Sequence, residues 1–252
     1  MLRGSFPMFR VFRCFEFSVF RFFEFSVFRC FGFRKKRIDM VRLKVLLLFL
    51  MPLLLLSGRP DGFSISPISD DVMARMEGKS FKKDCTTSRD DLRYLTIPYY
   101  DPNGNVQRGE LVCNKAIAQD LIEIFEALYE AKYPIERMRL IDEYDGDDEL
   151  SMRANNTSSF NFRKVSGTKS LSKHAYGRAI DINPFYNPYV HTRGGKTLVE
   201  PEGSAPWATN RTKARNKMVI TPNDLCVKLF KQHGFRWGGD WKTMKDYQHF
   251  EK

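Results

Sequence analysis

The chain has 252 residues and a formal charge of +11, a size for one large or two small domains and a charge that first suggests an anionic partner. Residues 1–44, however, hold 11 of the 41 Lys+Arg, 3 of the 30 Asp+Glu and 12 of the 22 Phe, so +8 of the charge belongs to them and only +3 to residues 45–252. A nucleic-acid surface needs Lys and Arg clustered on a folded face, and the nearly neutral body excludes that reading.

The first stretch repeats with a period of eight: VFRCFEFS from Val11, VFRFFEFS from Val19 and VFRCFGFR from Val27. Three short copies without a partner element cannot bury a core. Met40, Arg42 and Lys44 then lead into the apolar run Val45 to Leu56, followed by Ser57 and Gly58. A short basic region, a brief apolar run and small residues after it read as a signal peptide over residues 40–58, too short to span a bilayer comfortably. The expectation is that translation starts at Met40, with residues 1–39 an upstream extension, and that the product is exported; an uncleaved leader would be its one link to a membrane. Export leaves Cys85, Cys113 and Cys226. If a disulfide forms, Cys85–Cys113 is the expected pair, closing one loop at the start of the domain. Cys226 sits in a helical pattern as a small buried residue. None of the three has zinc-finger spacing.

Residues 59–84, rich in Ser, Asp, Pro and Gly, read as a linker or irregular arm, and 85–252 as one domain. Arg93 to Tyr100 is a strand, Asp101 to Asn105 a turn and Glu110 to Cys113 the returning strand. Asn114 caps a helix from Lys115 to about Lys132, with Ile117, Leu121, Ile124, Phe125 and Leu128 on one face, and Pro134 ends it. Residues 136–144 read as extended and 145–157 as a polar loop. A second helix is expected with Thr221 as cap, Pro222 in the first turn and Asp224 as the capping-box acid, closed by Gly234. This pattern gives an α+β fold: a single domain with a mostly antiparallel sheet flanked by helices.

Four histidines are present: His174, His191, His233 and His249. His174 lies in Ser172-Lys-His-Ala-Tyr-Gly177-Arg-Ala-Ile-Asp181, and His249 in Asp246-Tyr-Gln-His249-Phe-Glu251. If they converged, His174, Asp181 and His249 would be three protein ligands, the count that leaves zinc a fourth position for water. Such a water has a pKa of about 7, and Asp246, three residues before His249, is placed to act as its general base. The odd spacing of His174 and Asp181 requires the chain to turn near Gly177. His-Glu-x-x-His is absent, which excludes a thermolysin-like helical site.

Ser172 to Asp181 resembles the S-x-H-x-x-G-x-A-x-D motif of the VanY/VanX-type zinc D-alanyl-D-alanine carboxypeptidases and L-alanyl-D-glutamate endopeptidases, and Asp246 to Glu251 their closing D/E-x-x-H motif. The loop Asn156 to Arg163 and the run Asn183 to Tyr189 are also similar, especially to the endolysin-like branch. The resemblance covers roughly Cys85 to Glu251. It implies the zinc fold shared with hedgehog signalling domains, Zn2+ bound by His174, Asp181 and His249, Asp246 as catalytic base, Arg163 as a catalytic and substrate-holding residue, and Ser172 at the pocket wall. One departure is Asp246, where many members carry Glu. The implied substrate is the peptidoglycan stem peptide, cut directly by activated water, by a monomer in the periplasm or cell envelope of a bacterium. The alternative is a non-hydrolytic zinc-bearing cell-wall-binding module.

Structural roles stand beside these: Arg163 as an ion-pair partner and Ser172 as a backbone hydrogen bonder. Gly234 to Trp241 would form either a cleft wall or core plus a turn, and Asp240 is a candidate partner of a ligand histidine. His191, read on a surface loop, and His233, at a helix end, carry no expected chemistry.

Overall fold

The computed structural model describes residues 61–252, which fall within one unit, Arg59–Lys252. The Phe/Arg repeat, the start at Met40 and the signal peptide lie outside the described residues. Among those residues there are four α-helices, and no helix is long and apolar enough to cross a membrane.

Strands β1 (Ser64–Pro67), β2 (Leu92–Tyr100) and β3 (Val106–Asn114) form an antiparallel sheet in that order. The β2–β3 hairpin turns where Asp101 Oδ1 accepts from the backbone of Asn103 and Asn105, both at 2.9 Å, and Gly104 takes a positive φ of 84°. Alternation splits the hairpin between two apolar clusters. Leu95, Ile97, Tyr99, Leu111 and Cys113 join the main core, whereas Leu92 and Val112 join a second cluster with Phe160 and Phe162.

Helix α1 (Asp70–Met76) completes that second cluster with Val72, Met73 and Met76, and Ser69 Oγ caps it by accepting from Val72 N. The segment 59–84, expected as a linker, therefore contributes a sheet strand and a core helix; the spaced apolar residues of a seven-residue helix are too few to show a period. Helix α2 (Lys115–Glu130), capped by Asn114, buries Ile117, Leu121, Ile124, Phe125 and Leu128 as expected.

The expected extended segment 136–144 keeps only β4 (Arg137–Met138) before a 3-10 turn at Ile141–Tyr144. The expected polar loop 145–157 contains helix α3 (Asp148–Arg153), capped by Asp147, and β5 (Asn156–Thr157), which pairs parallel with β4. Three further strands make a second antiparallel sheet in the order β10-β7-β8: β7 (Tyr189–Arg193), β8 (Lys196–Glu200) and β10 (Lys245–Asp246). The third has the order β6-β11-β9, from β6 (Ala179–Asp181), β9 (Arg236–Trp237) and β11 (His249–Glu251). The fold is α+β, but one flanked sheet is replaced by several small ones, because the chain turns at Gly177 just before β6, at Asn183 just after it and at Gly238 just after β9.

Helix α4 (Leu225–Gln232) starts later than expected. Asp224 is its cap, accepting from Cys226 N at 2.8 Å, while Thr221 to Asp224 closes a turn. Cys226 is buried in its core face and Gly234 follows its end with φ 81°, both as expected. The Cys85–Cys113 disulfide is not formed: the three cysteines of the described residues are free, Cys113 in the main core and Cys85 against the second cluster.

Strands β6 and β11 carry the functional face. Ile180 and Phe250, paired across the two strands, point into the main core, where the Phe250 ring stacks on Phe230 with centroids 4.2 Å apart. Burying an aromatic side chain of this size contributes about 1.5–3 kcal/mol. The alternate residues Asp181, His249 and Glu251 then occupy the opposite face.

Candidate metal centre

Ser172 caps the 3-10 turn Lys173–Tyr176 by accepting from His174 N at 3.3 Å. Gly177 reverses the chain with φ 64° and packs so closely that a Cβ would lie 2.7 Å from Asn114 N. This is the turn that the spacing of His174 and Asp181 requires. His174 is buried, and its Nδ1 donates to the carbonyl of Ser159 at 2.6 Å. A carbonyl only accepts, so Nδ1 carries the proton and Nε2 faces inward with a lone pair.

Register brings the other two groups to the same point, because His249 lies directly opposite Asp181 on the paired strands. His174 Nε2 is 3.1 Å from His249 Nδ1 and 3.3 Å from Asp181 Oδ2, and His249 Nδ1 is 3.1 Å from Asp181 Oδ1. One ligand atom from each of the three lies within 4.8 Å of the others. His249 Nε2, on the outer side, is 3.4 Å from Glu251 Oε2. With both outer nitrogens partnered by acceptors, two inner imidazole nitrogens and a carboxylate face one another in a buried space. Such a donor set fits a divalent cation, and two imidazoles with one carboxylate suit zinc.

Without a cation the same crowding distorts the titration of the group. Burial would lower the His249 pKa, but its hydrogen bonds to Asp181 and Glu251 outweigh that and push it up to about 10. Burial would raise Asp181, and the two imidazoles overcome it and hold the carboxyl well below the usual range.

Asp246 belongs to the neighbouring sheet, where β10 places it opposite Tyr189. Its Oδ1 is buried and has no hydrogen-bond partner. Burial, reinforced by Asp181, raises its pKa to about 7 against the opposing pull of His249, His174 and Arg163. Gly238 packs against it, since a Cβ there would be 2.5 Å from Asp246 O. The linking residue Tyr247 lies under the Arg211 guanidinium, 4.0 Å from the ring centroid, and 6.2 Å from the Trp237 ring. Arg211 is itself buried and donates to the carbonyls of Tyr186, Trp207 and Ile220 and to Asn187 Oδ1.

Arg163 forms an ion pair with Asp148 on α3, and its Nε is buried without a partner. Ser172, expected at the pocket wall, is buried with its hydroxyl committed to the cap over His174. Asp240, a candidate partner of a ligand histidine, instead pairs with Lys231 at 2.6 Å; Glu251 and the Ser159 carbonyl fill that role. In the glycine-rich segment Phe235 and Trp237 are core, while the Trp241 ring sits 5.4 Å from that of His249. His191 lies on β7 instead of a loop, and His233 is 3.5 Å from Asp120 at the end of α4. Glu251, Ser159 and Asp148 were missed as contributors. Only Glu251 left a signal, being two residues from His249 on a strand.

A family model described as D-alanyl-D-alanine carboxypeptidase matches residues 166–252. The stretch includes His174, Asp181, Asp246 and His249, and begins just after Arg163. The chain is also 34% identical over 80 residues to the peptidoglycan L-alanyl-D-glutamate endopeptidase CwlK of Bacillus subtilis (strain 168), a match covering 32% of this chain and 38% of that protein. The chain thus spans well under two thirds of that relative's length. No solved structure matches. Residues 166–252, which hold the His174, Asp181 and His249 cluster, are thus the part of the chain that is similar to D-alanyl-D-alanine carboxypeptidases.

Proposed function

We propose that the protein is a zinc-dependent peptidase that hydrolyses a peptide bond in the peptidoglycan stem peptide, without a covalent intermediate. The observation that carries this reading is the convergence of His174, Asp181 and His249 beside a buried carboxylate oxygen of Asp246 that has no partner. Zinc held by the three residues would supply Lewis-acid activation of water and of the scissile carbonyl. Asp246 Oδ1 takes the proton released as water attacks and returns it to the leaving amine. Arg163, oriented by Asp148, holds an oxygen of the substrate, and Trp241 walls the site beside His249. The filled base and arginine positions favour hydrolysis over a binding module.

The leader directs export, which puts the enzyme with its substrate in a bacterial periplasm or cell envelope. Incubation with purified peptidoglycan and mass analysis of the released peptides tests the activity. Release of terminal D-Ala alone assigns a carboxypeptidase, and a cut beside D-Glu an endopeptidase. His174→Ala is expected to lose zinc and activity together, and Asp246→Ala to lose activity while retaining zinc. Peptide release that persists in a chelator, or in Asp246→Ala, overturns the mechanism.

A further inference from the structure

We propose that Glu251 is a positioning residue for the metal centre, selecting the His249 tautomer that presents Nδ1, and that Arg236 fixes Glu251 for this task. The inference rests on the metal-site reading above and adds to it a named device for one ligand.

His249 lies between two carboxylates. Asp181 Oδ1 is 3.1 Å from Nδ1, and Glu251 Oε2 is 3.4 Å from Nε2. A histidine must be neutral to bind a metal and then carries one N–H, so in the metal-binding form the two carboxylates compete to receive it. With the hydrogen on Nδ1, the ring donates to Asp181, and neither atom has a lone pair free along that line. With the hydrogen on Nε2, the ring donates to Glu251, and Nδ1 joins His174 Nε2 and Asp181 as an open donor. His174 meets no such choice, because its outer nitrogen faces the backbone carbonyl of Ser159 at 2.6 Å.

The strand geometry makes Glu251 a built partner. Residues 249 and 251 share a face of β11, while Phe250 between them is fully buried in the core. Glu251 lies opposite Ala179 on one side, which leaves room for its side chain, and opposite Arg236 on the other. Arg236 Nη2 donates to Glu251 Oε1 at 2.6 Å, so the carboxylate divides its oxygens between the guanidinium and the histidine. The Glu251 side chain is 11% exposed and that of Arg236 is 72% exposed, so the anion is sheltered while its counter-ion reaches solvent. Acceptors of this kind orient ligand histidines and raise their basicity.

The test uses the full chain, stripped of metal, with zinc affinity measured by competition against a chromophoric chelator. Glu251→Gln is expected to weaken zinc binding about 10–100-fold, and Arg236→Ala to weaken it less. The thermal midpoint of the metal-free protein should stay close to that of wild type, which a purely structural role for Glu251 would not allow. Unchanged affinity in Glu251→Gln overturns the proposal while leaving the metal site standing; a wild-type protein that binds no zinc overturns both. Nitrogen-15 spectra of the histidines in zinc-loaded wild type give a check independent of how the variants fold. A hydrogen on His249 Nε2 is the expected result, and a hydrogen on Nδ1 rejects the proposal.

Discussion

Asp148, the first residue of α3, binds the Arg163 guanidinium with one carboxylate oxygen and accepts from Asn161 Nδ2 at 3.2 Å with the other. A helix of six residues thus aims the cation whose field reaches Asp246. Charge-assisted hydrogen bonds contribute about 1.5–3 kcal/mol, and each 1.36 kcal/mol of barrier is tenfold in rate. Asp148→Ala should therefore lower kcat/KM about 10–100-fold on peptidoglycan fragments while zinc content stays that of wild type. Activity within twofold of wild type would remove Asp148 from the site.

Gly238 allows the strand that bears Asp246 to close against it. A methyl group at 238 would lie 2.5 Å from the Asp246 carbonyl oxygen and 2.8 Å from its Cβ. Overpacking of this kind costs about 1–3 kcal/mol, and here the backbone of the base must move. Gly238→Ala is expected to reduce kcat at least about tenfold with zinc retained. Equal loss of zinc and rate would show that the ligands, not the base, had moved.

Ser172 Oγ caps the turn that carries His174, accepting from its backbone N at 3.3 Å. Removing such a cap costs about 1 kcal/mol, which is about 2–4 °C in the Tm of a domain this size. Ser172→Ala should show that loss with KM unchanged, and Ser172→Thr should restore stability. A raised KM at unchanged Tm would return Ser172 to the pocket wall.

Asp246 links stability to pH in the metal-free protein. Its carboxyl is raised from an ordinary 3.8 to about 7, so the folded state keeps a proton that the unfolded state has lost. The contribution is complete below the ordinary value and disappears as pH rises through 7. Urea unfolding with chelator present should show lower stability at pH 8 than at pH 5, with a smaller difference in Asp246→Asn. An unchanged difference would assign the slope to other groups.

The parts of the site legible in the sequence are those set by short-range spacing. The two histidine motifs announced their residues, and the turn at Gly177 followed from the distance between His174 and Asp181 along the chain. Helix α2 was legible because sixteen residues repeat their apolar face several times. Helices α1 and α3 were not, since seven and six residues complete scarcely two turns. Helix α4 was misplaced by three residues because Thr221 and Asp224 are both competent caps and only packing chooses between them. The partners of the ligand histidines were hidden for another reason: Ser159 contributes a carbonyl, which no side chain advertises.

Of the proposed ligands, Asp181 and His249 ride on the β6-β11-β9 sheet and His174 on the 3-10 turn before β6, whereas the proposed base Asp246 is on the β10-β7-β8 sheet, with only Tyr247 and Gln248 between Asp246 and His249. The centre is therefore made in two parts joined by a short coupling, and Tyr247 is the clamped half of that coupling, under Arg211 and beside Trp237. A displacement of the β7–β8 hairpin would carry the base with it while the three ligands kept their mutual distances. In the proposed mechanism, changes in hairpin sequence would then retune proton transfer independently of metal affinity, so the two properties would vary separately in this one small domain.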